Sequence, residues 1–359
     1  MEKGSRKLEE FDSFVEKISA KDRIALFFDN DPDGISSAVI TAIALKRIRG
    51  RAPETIRHVH HSEFGKFGKI ASAKKFDVII ILDLPLDSFP KVAKTLEKRG
   101  RVLNIDHHGL YREISSKNTL LLKPQFYSEI EPSRYPTAKM CFDLFSRRTG
   151  LPDLDWITAI GIIGDHAWGQ WGAFLKKTEK NWGISEKELY AVENILAAFL
   201  ALREGKETEV VRFLLKSDGP KEFLESDFAE CVKEFDAEVE KERGIALKKV
   251  ERDKKHKLLF YRFRPKFRVK NAVISALSYK YPDWNVIVAE EDNTEVLRVS
   301  ARRQDFGLSM GKLLEESVKG IRGARGGGHV PAAGATMRKK DLRKFRKNLV
   351  RVLEEGGAE

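Results

Sequence analysis

The sequence predicts an α/β protein. It has a doubly wound, parallel-sheet N-terminal domain over residues 1–184, a helical connector over 185–255 and a smaller α/β domain over 256–359. Three observations predict this. Short apolar runs alternate with stretches of helical periodicity in the first part of the chain. Residues 185–255 are helical in pattern and highly charged, with no strand signal, and the strand–helix alternation resumes from Lys257. A chain of 359 residues is also long for one core, because domains usually run to roughly 100–200 residues.

The apolar runs at 23–28, 77–83 and 101–106 are continuous, the mark of strands buried on both faces of a parallel sheet. Between them, 34–49 carries apolar residues at helical spacing and Gly50 closes it. A second helix is expected over 86–98, opened by Asp87-Ser88, and further helices over 137–149 and 154–164. In the C-terminal domain strands are expected at 258–263, 285–289 and 295–300, the last two as a hairpin about Asp292-Asn293. A helix over 308–318, a glycine-rich loop and a basic helix over 340–353 complete the chain.

Composition narrows the function classes. Hydrophobic residues make up 42% and charged residues 33%, enough apolar material for real cores, and the high Lys and Glu content leans toward a thermophile. The two cysteines, Cys141 and Cys231, build neither a disulfide framework nor a CxxC metal site, which fits a reducing, cytoplasmic setting. The first residues, MEKGSRKLEEFDSF, lack an apolar segment, and no run of about 18 apolar residues occurs, so neither a signal peptide nor a membrane span is expected. The net charge of +12 is concentrated at one end: residues 241–359 hold 29 Lys and Arg against 15 Asp and Glu. Any one such cluster also reads as a solvated surface, but an asymmetry across a whole domain favours a polyanionic partner.

The acids carry the chemistry. The first strand runs into Asp29-Asn30-Asp31-Pro32-Asp33-Gly34, the second into Asp83 and the third into Asp106-His107-His108, and Asp165-His166 follow another apolar stretch. Ligands of an open α/β sheet bind outside the carboxyl ends of its strands, so these residues share one edge. Oxygen and imidazole donors together suit Mn²⁺, and oxygen-rich subsets suit Mg²⁺. An aspartate after a strand also caps the next helix, so Asp83 or Asp106 alone decides little. Asp29, Asp31 and Asp33 repel one another unless a cation or donors neutralise them. His58, His60 and His61 lie on a strand-like stretch and read as ordinary surface or core histidines.

In order, Asp29-Asn-Asp-Pro-Asp-Gly, Asp83, Asp106-His107-His108 and Gly164-Asp165-His166 resemble the four motifs of the DHH phosphoesterases. Gly326-Gly327-Gly328-His329, followed by Ala332-Ala333-Gly334, resembles the substrate-binding motif of the companion DHHA1 domain. The resemblance spans about residues 20–340, and its first motif is most similar to the RecJ-like single-strand exonuclease branch, in an archaeal form. It implies two Mn²⁺ or Mg²⁺ ions held by Asp31, Asp33, Asp83, His107 and Asp165, with Asp83 bridging. It also implies that His108 faces the scissile phosphate and that Asp106 orients a histidine. The sequence departs from the pattern at Phe27, where many members carry a ligand histidine; Asp29 is the nearest substitute.

Two-metal hydrolysis needs no covalent nucleophile, and no Gly-x-Ser-x-Gly or Walker sequence offers one. The substrate arm implied by the resemblance comprises Arg302 and Arg303, in a variant of a Ser-x-Arg-Ser segment, with Arg325, Gly326, Gly327, Gly328 and His329. Glycine backbone N–H groups approach a phosphate closely there. Trp168 and Trp171 follow Asp165 and are able to stack on bases, although core packing is the commoner role. The expected activity is an exonuclease on single-stranded DNA or RNA. The alternatives are an oligoribonuclease or dinucleotide phosphodiesterase, and a replication or helicase-associated scaffold that docks a partner through 185–255. The sequence leaves polarity, DNA against RNA preference and oligomeric state open.

Overall fold

A computed structural model describes residues 2–59, 75–291 and 294–356, arranged as two compact units, Met1–Val232 and Lys233–Glu359. His60, His61 and the Asp292-Asn293 turn lie outside the described residues.

The first unit is built on β1 (Ile24–Phe28), β2 (Thr55–His58), β3 (Val78–Leu82), β4 (Arg101–Ile105) and β5 (Thr119–Leu122). They form an all-parallel sheet in the order β2-β1-β3-β4-β5. β1, β3 and β5 are buried along their whole length, as their unbroken apolar runs require. The chain leaves β1 in one direction to reach β2 and returns past it to β3, so the order reverses between β1 and β3. That crevice is where an open α/β sheet takes its ligand.

Helices α1 (Glu2–Glu16), α2 (Pro32–Arg49), α3 (Pro90–Glu97), α4 (Thr137–Ser146), α5 (Asp155–Gly164) and α6 (Trp168–Trp182) surround the sheet. The helix expected over 86–98 is broken: a 3₁₀ turn covers Leu86–Ser88, and α3 begins only at Pro90, which occupies its first turn. β5 escaped the sequence pattern, and β2 was legible only as the strand-like stretch at His58. β2 is a short, half-exposed edge strand, and β5 has only four residues. Helices α7 (Glu186–Leu202), α8 (Glu207–Leu214) and α9 (Pro220–Leu224) also pack in the first unit. α7 opens with a Ser185–Glu188 capping box and rests on α5; α8 touches α2 and β2. Helix α10 (Glu230–Lys249) runs from the first unit into the second.

In the second unit β6 (Glu251–Asp253), β7 (Leu258–Phe263), β8 (Asn285–Glu291), β9 (Val296–Arg302), β10 (Arg325–Gly328) and β11 (Ala332–Arg338) form a mixed sheet in the order β10-β11-β9-β8-β7-β6. Side chains alternate between its faces. Leu258, Phe260, Ile287 and Val299 pack on α12 (Met310–Val318) and α13 (Leu342–Glu354). Leu259, Tyr261, Val286 and Val288 pack on α10 and on α11 (Lys270–Lys280). The expected β8–β9 hairpin pairing is present. The expected glycine-rich loop is instead a strand: Arg325–Gly328 pairs antiparallel with β11 at the sheet edge. Cys141 and Cys231 are both buried. Among the described residues no helix is long and apolar enough to cross a membrane.

Candidate active site

The carboxyl ends of β1, β3 and β4 bring together the acids and histidines of the first unit. Asp31 caps α2, its carboxylate accepting from Gly34 N at 2.8 Å. The carboxyl group of Asp33, in the first turn of α2, accepts from the backbone N–H groups of Thr137 at 2.7 Å and Ala138 at 2.8 Å. It therefore satisfies the open N-terminus of α4, whose own cap position, Pro136, offers no side-chain acceptor. Each carboxylate oxygen keeps a second lone pair, so capping leaves Asp33 able to bind a cation. This packing needs Gly161 on α5: a Cβ there would stand 2.5 Å from Ala138 Cβ and 2.7 Å from Asp33 Oδ1.

Asp83 follows β3 in the left-handed region, φ 58°, which aspartate tolerates better than most residues. His166 shares that conformation, φ 56°, and such backbone gathers at functional sites. Asp83 Oδ1 accepts from Thr137 Oγ1 at 3.1 Å. His107 is buried, with Nδ1 3.2 Å from the Pro132 carbonyl. A carbonyl only accepts, so Nδ1 carries the proton and Nε2 presents a lone pair. That Nε2 lies 3.2 Å from Asp165 Oδ2, without hydrogen-bond geometry, and 3.6 Å from Asp83 Oδ1. A lone pair facing two carboxylate oxygens is the arrangement of a metal-ligating histidine with its second nitrogen held by a carbonyl.

Three groups of donors have all their ligand atoms within 4.8 Å of one another: Asp29, Asp31 and Asp83; Asp33, His107 and Asp165; and Asp83, His107 and His108. The first two share no residue, and Asp83 belongs to two of the three. Phe27 is 2% exposed and part of the core beneath the sheet, while Asp29 stands with Asp31 and Asp83. The donor set of carboxylates and imidazole suits Mn²⁺ or Mg²⁺.

The electrostatics agree with that fit. Burial and the neighbouring Asp31 push the Asp29 carboxyl up to about 7. Burial, then Asp165 and Asp31, holds Asp33 well above the usual carboxylate range. Asp83 is raised by burial and by Asp31 and Asp33, and Asp165 by burial and by Asp31 and Asp29. Mutually repelling buried carboxylates keep protons until a cation replaces them.

Asp106 behaves oppositely. Burial would raise it, but the Lys123 ammonium and the His108 ring outweigh burial and hold it far below the usual range. Its Oδ1 lies 2.7 Å from His108 Nδ1, and its Oδ2 2.5 Å from Lys123 Nζ. Lys123 is fully buried and directly follows β5. It also donates to the carbonyls of His108 and Gly109 at 3.0 and 3.1 Å and lies 3.3 Å from Asp87 Oδ1. Lys123 was not singled out from the sequence, and Asp87 only as the opener of a helix. The signal was the Leu-Leu-Leu-Lys-Pro run, one more apolar strand ending in a charge at the same edge.

The remaining sequence candidates divide. Trp171 donates its indole N–H to the Arg134 carbonyl at 2.7 Å and lies under the Lys139 ammonium, whereas Trp168 is 37% exposed. His58 sits 3.3 Å from Glu207. In the second unit Arg303 forms a bidentate pair with Asp305 at 2.6 and 3.0 Å and reaches Asn285 at 3.1 Å. Arg302 is half-buried at the end of β9 and Arg325 opens β10. Of the three glycines, Gly326 lies against the Leu314 carbonyl and Gly328 against Ala333, where a Cβ would clash at 2.7 and 2.6 Å. Gly327 borders open space, and His329 turns the chain into β11 with its N–H on Ala332 O.

Residues 23–162 match the N-terminal domain of the DHH family, and residues 268–355 match the DHHA1 domain. No curated protein matches the sequence. Among solved structures the chain is similar to an exonuclease RecJ bound to manganese, at 18% identity and a TM-score of 0.68 over 97% of this chain and 94% of that one. It is similar to a DHH domain from a member of the s1p family of ribosomal proteins, at 12% identity and a TM-score of 0.75 over 99% and 92%. It is also similar to CDC45 from Entamoeba histolytica, at 11% identity and a TM-score of 0.61 over 98% and 99%. At these identities the likeness is one of fold.

Proposed function

We propose, from the premise that this chain belongs to the DHH–DHHA1 family of phosphoesterases, hydrolases acting on phosphodiester bonds, that it is a metal-dependent exonuclease. Its substrate is an end of single-stranded DNA or RNA. The observation that carries the reading is the pair of disjoint donor groups at the β1/β3 crevice, Asp29-Asp31-Asp83 and Asp33-His107-Asp165. Each offers three ligands, and together they would hold two Mn²⁺ or Mg²⁺ ions; Asp83, in the first group, also lies 3.6 Å from His107 Nε2 of the second. Ions bound there supply positive charge and an acidified water for in-line displacement at phosphorus.

The other residues position the phosphate and the proton. His107 donates its Nδ1–H to the Pro132 carbonyl, which leaves Nε2 facing Asp83 and Asp165. His108, fixed through Nδ1 by Asp106, keeps 37% of its side chain exposed, and its Nε2 is the ring nitrogen left to donate to a phosphate oxygen. Lys123 holds Asp106 and the His108 carbonyl, so the ring and its support move as one piece. In the second unit Arg302, Arg325, Gly327 and His329 are the groups for the nucleic-acid backbone. Arg303 shapes the loop beside them through Asp305. The charge excess of residues 241–359 supports a polymer over a dinucleotide, because neutralisation grows with each phosphate contacted.

The test is degradation of end-labelled single-stranded DNA and RNA, graded in length from dinucleotides upward, with Mn²⁺ and with excess EDTA. Metal-dependent release of nucleotides from one end, improving with length, is expected. Full activity in EDTA overturns the metal reading. Dinucleotides as the best substrate turn the assignment to a dinucleotide phosphodiesterase.

A further inference from the structure

Isolated exposed apolar side chains are ordinary on protein surfaces. The second unit, however, places Tyr279, Phe306 and Val330 at 62%, 56% and 44% exposure around one end of its sheet, beside a candidate phosphate-binding arginine. Phe306 has φ 58°, a left-handed conformation that a bulky L side chain seldom adopts. The surrounding bonds impose it. Arg303 clamps Asp305 through both carboxylate oxygens, and the same carboxylate accepts from Gly307 N at 2.9 Å, so the residues on either side of Phe306 are tied together.

Two further attachments fix where this loop sits. The N–H groups of Gln304 and Asp305 donate to Pro282 O at 3.0 and 3.1 Å, and the Gln304 side chain reaches Ser278 Oγ at 2.8 Å. Ser278 directly precedes Tyr279 on α11. On the other side, Arg303 N donates to Pro331 O at 3.0 Å, next to Val330. Tyr279 is also an electrostatic neighbour of Arg302. A strained loop is thus stapled so that an aromatic ring stands in solvent, and its bonds run to the helix end that carries a second exposed ring next to the Arg302 guanidinium.

We propose that Tyr279 and Phe306 form a nucleobase-stacking face, with Arg302 taking the adjoining phosphate of a single strand. The inference rests on the single-strand reading above and adds what grips the bases. Every base has a π-face, so such a platform tolerates any sequence while demanding that bases be unpaired and accessible. Arginine beside aromatic rings fits both the backbone charge and a base plane. A protein-docking patch is the competing occupant. The excess of basic residues in this part of the chain and the adjacent Arg302 favour the polyanion.

The experiment uses the full chain carrying Asp83→Asn, so that the strand is bound without being cut. Fluorescence anisotropy compares a labelled single-stranded oligonucleotide with an abasic strand of equal length. Tyr279→Ala and Phe306→Asn, the latter keeping a residue that tolerates the left-handed backbone, are expected to weaken binding of the base-bearing strand by about tenfold each. Binding of the abasic strand should stay unchanged. Phe306→Trp should restore the preference for bases, and a 2-aminopurine reporter should lose its stacking quench in Phe306→Asn. Equal loss on both strands, or no loss on either, overturns the stacking face. If the Asp83→Asn chain binds neither strand, the single-strand reading itself fails and the inference with it.

Discussion

In the first unit Asp33, Asp83, Asp87, Asp106 and Lys123 are at most 1% exposed. Among its described residues the second unit buries no aspartate, lysine or arginine, and its buried glutamates Glu238, Glu242 and Glu290 keep 6–8% exposure. The second unit instead displays its charge, 30 Lys and Arg against 19 Asp and Glu, where the first holds 36 against 35. Buried charges survive only when each is neutralised by a partner, a cation or a proton. Surface charges each contribute little to folding, but they add up for a polyanion. On the proposed function, the charge of the first unit serves to hold ions and that of the second to hold a chain of phosphates. Variants should separate these two uses of charge.

The largest effect is expected from Asp83→Asn. It keeps a residue suited to φ 58° and removes one negative charge from the carboxylate that belongs to two of the three donor groups. Turnover should fall by roughly 10²–10³-fold, the scale of losing one pre-set electrostatic contact to developing charge. Because it also relieves repulsion among buried carboxylates, the metal-free variant should melt at a higher temperature than the parent. Kinetics together with thermal melts in EDTA check this. A variant that is both active and unchanged in stability breaks the assignment of Asp83.

Lys123→Met comes next. It strands Asp106 and Asp87 in the core without their cation, and removing one partner of a buried pair costs about 3–5 kcal/mol. Chemical denaturation should show a loss of that order. An unchanged midpoint would mean that solvent reaches these carboxylates and that burial does not govern this end of the sheet.

The third expectation concerns pH. The raised carboxyls of the donor cluster hold protons in the folded chain that an unfolded chain has already lost. Their stabilisation is thus complete below pH about 4 and is lost as pH climbs toward 7, where Asp29 titrates. Asp106, held low, acts in the opposite sense and weakens the fold only in strong acid. Metal-free protein should therefore melt higher at pH 5 than at pH 8, and saturating Mn²⁺ should reverse that order. Melting temperatures that are flat with pH in EDTA would show that the cluster is not mutually repelling.

Much of the clustering at the candidate edge was legible because the first unit places its acids next to its strands. Asp29, Asp83 and Asp106 each follow an apolar run, and the parallel sheet then brings them together without further instruction. Asp33 was legible as an acid, but its capping of α4 was not, since that bond joins residues about a hundred apart in sequence. Lys123 was missed because β5 is short and a lysine after a strand looks like surface. In the second unit the glycine run reads as a loop because glycine carries no side-chain pattern. Its conformation is set by what it touches, the Leu314 carbonyl and Ala333, and only packing shows that it is a strand.

The smallest effect, and the sharpest test of the displayed charge, is Arg302→Ala. Arg303, its neighbour, is occupied by Asp305 and Asn285, so removing it should disturb the loop and the melting temperature. Arg302 sits at the open end of β9, half-buried, and burial lowers its guanidinium from the usual value, an unfavourable position that a phosphate would relieve. If it contacts one phosphate of a single strand, its loss should reduce the log–log dependence of binding on salt by roughly 0.7. The same loss should raise KM for long strands more than for dinucleotides, with kcat unchanged, because on the proposed function the reacting phosphate would lie among the donor groups of the first unit. Measuring kcat and KM against strand length at two salt concentrations, for both arginine variants, decides the matter. A fall in kcat on dinucleotides would place Arg302 in the chemistry rather than in the grip. An unchanged salt slope would leave the basic surface of the second unit without a role in holding the strand.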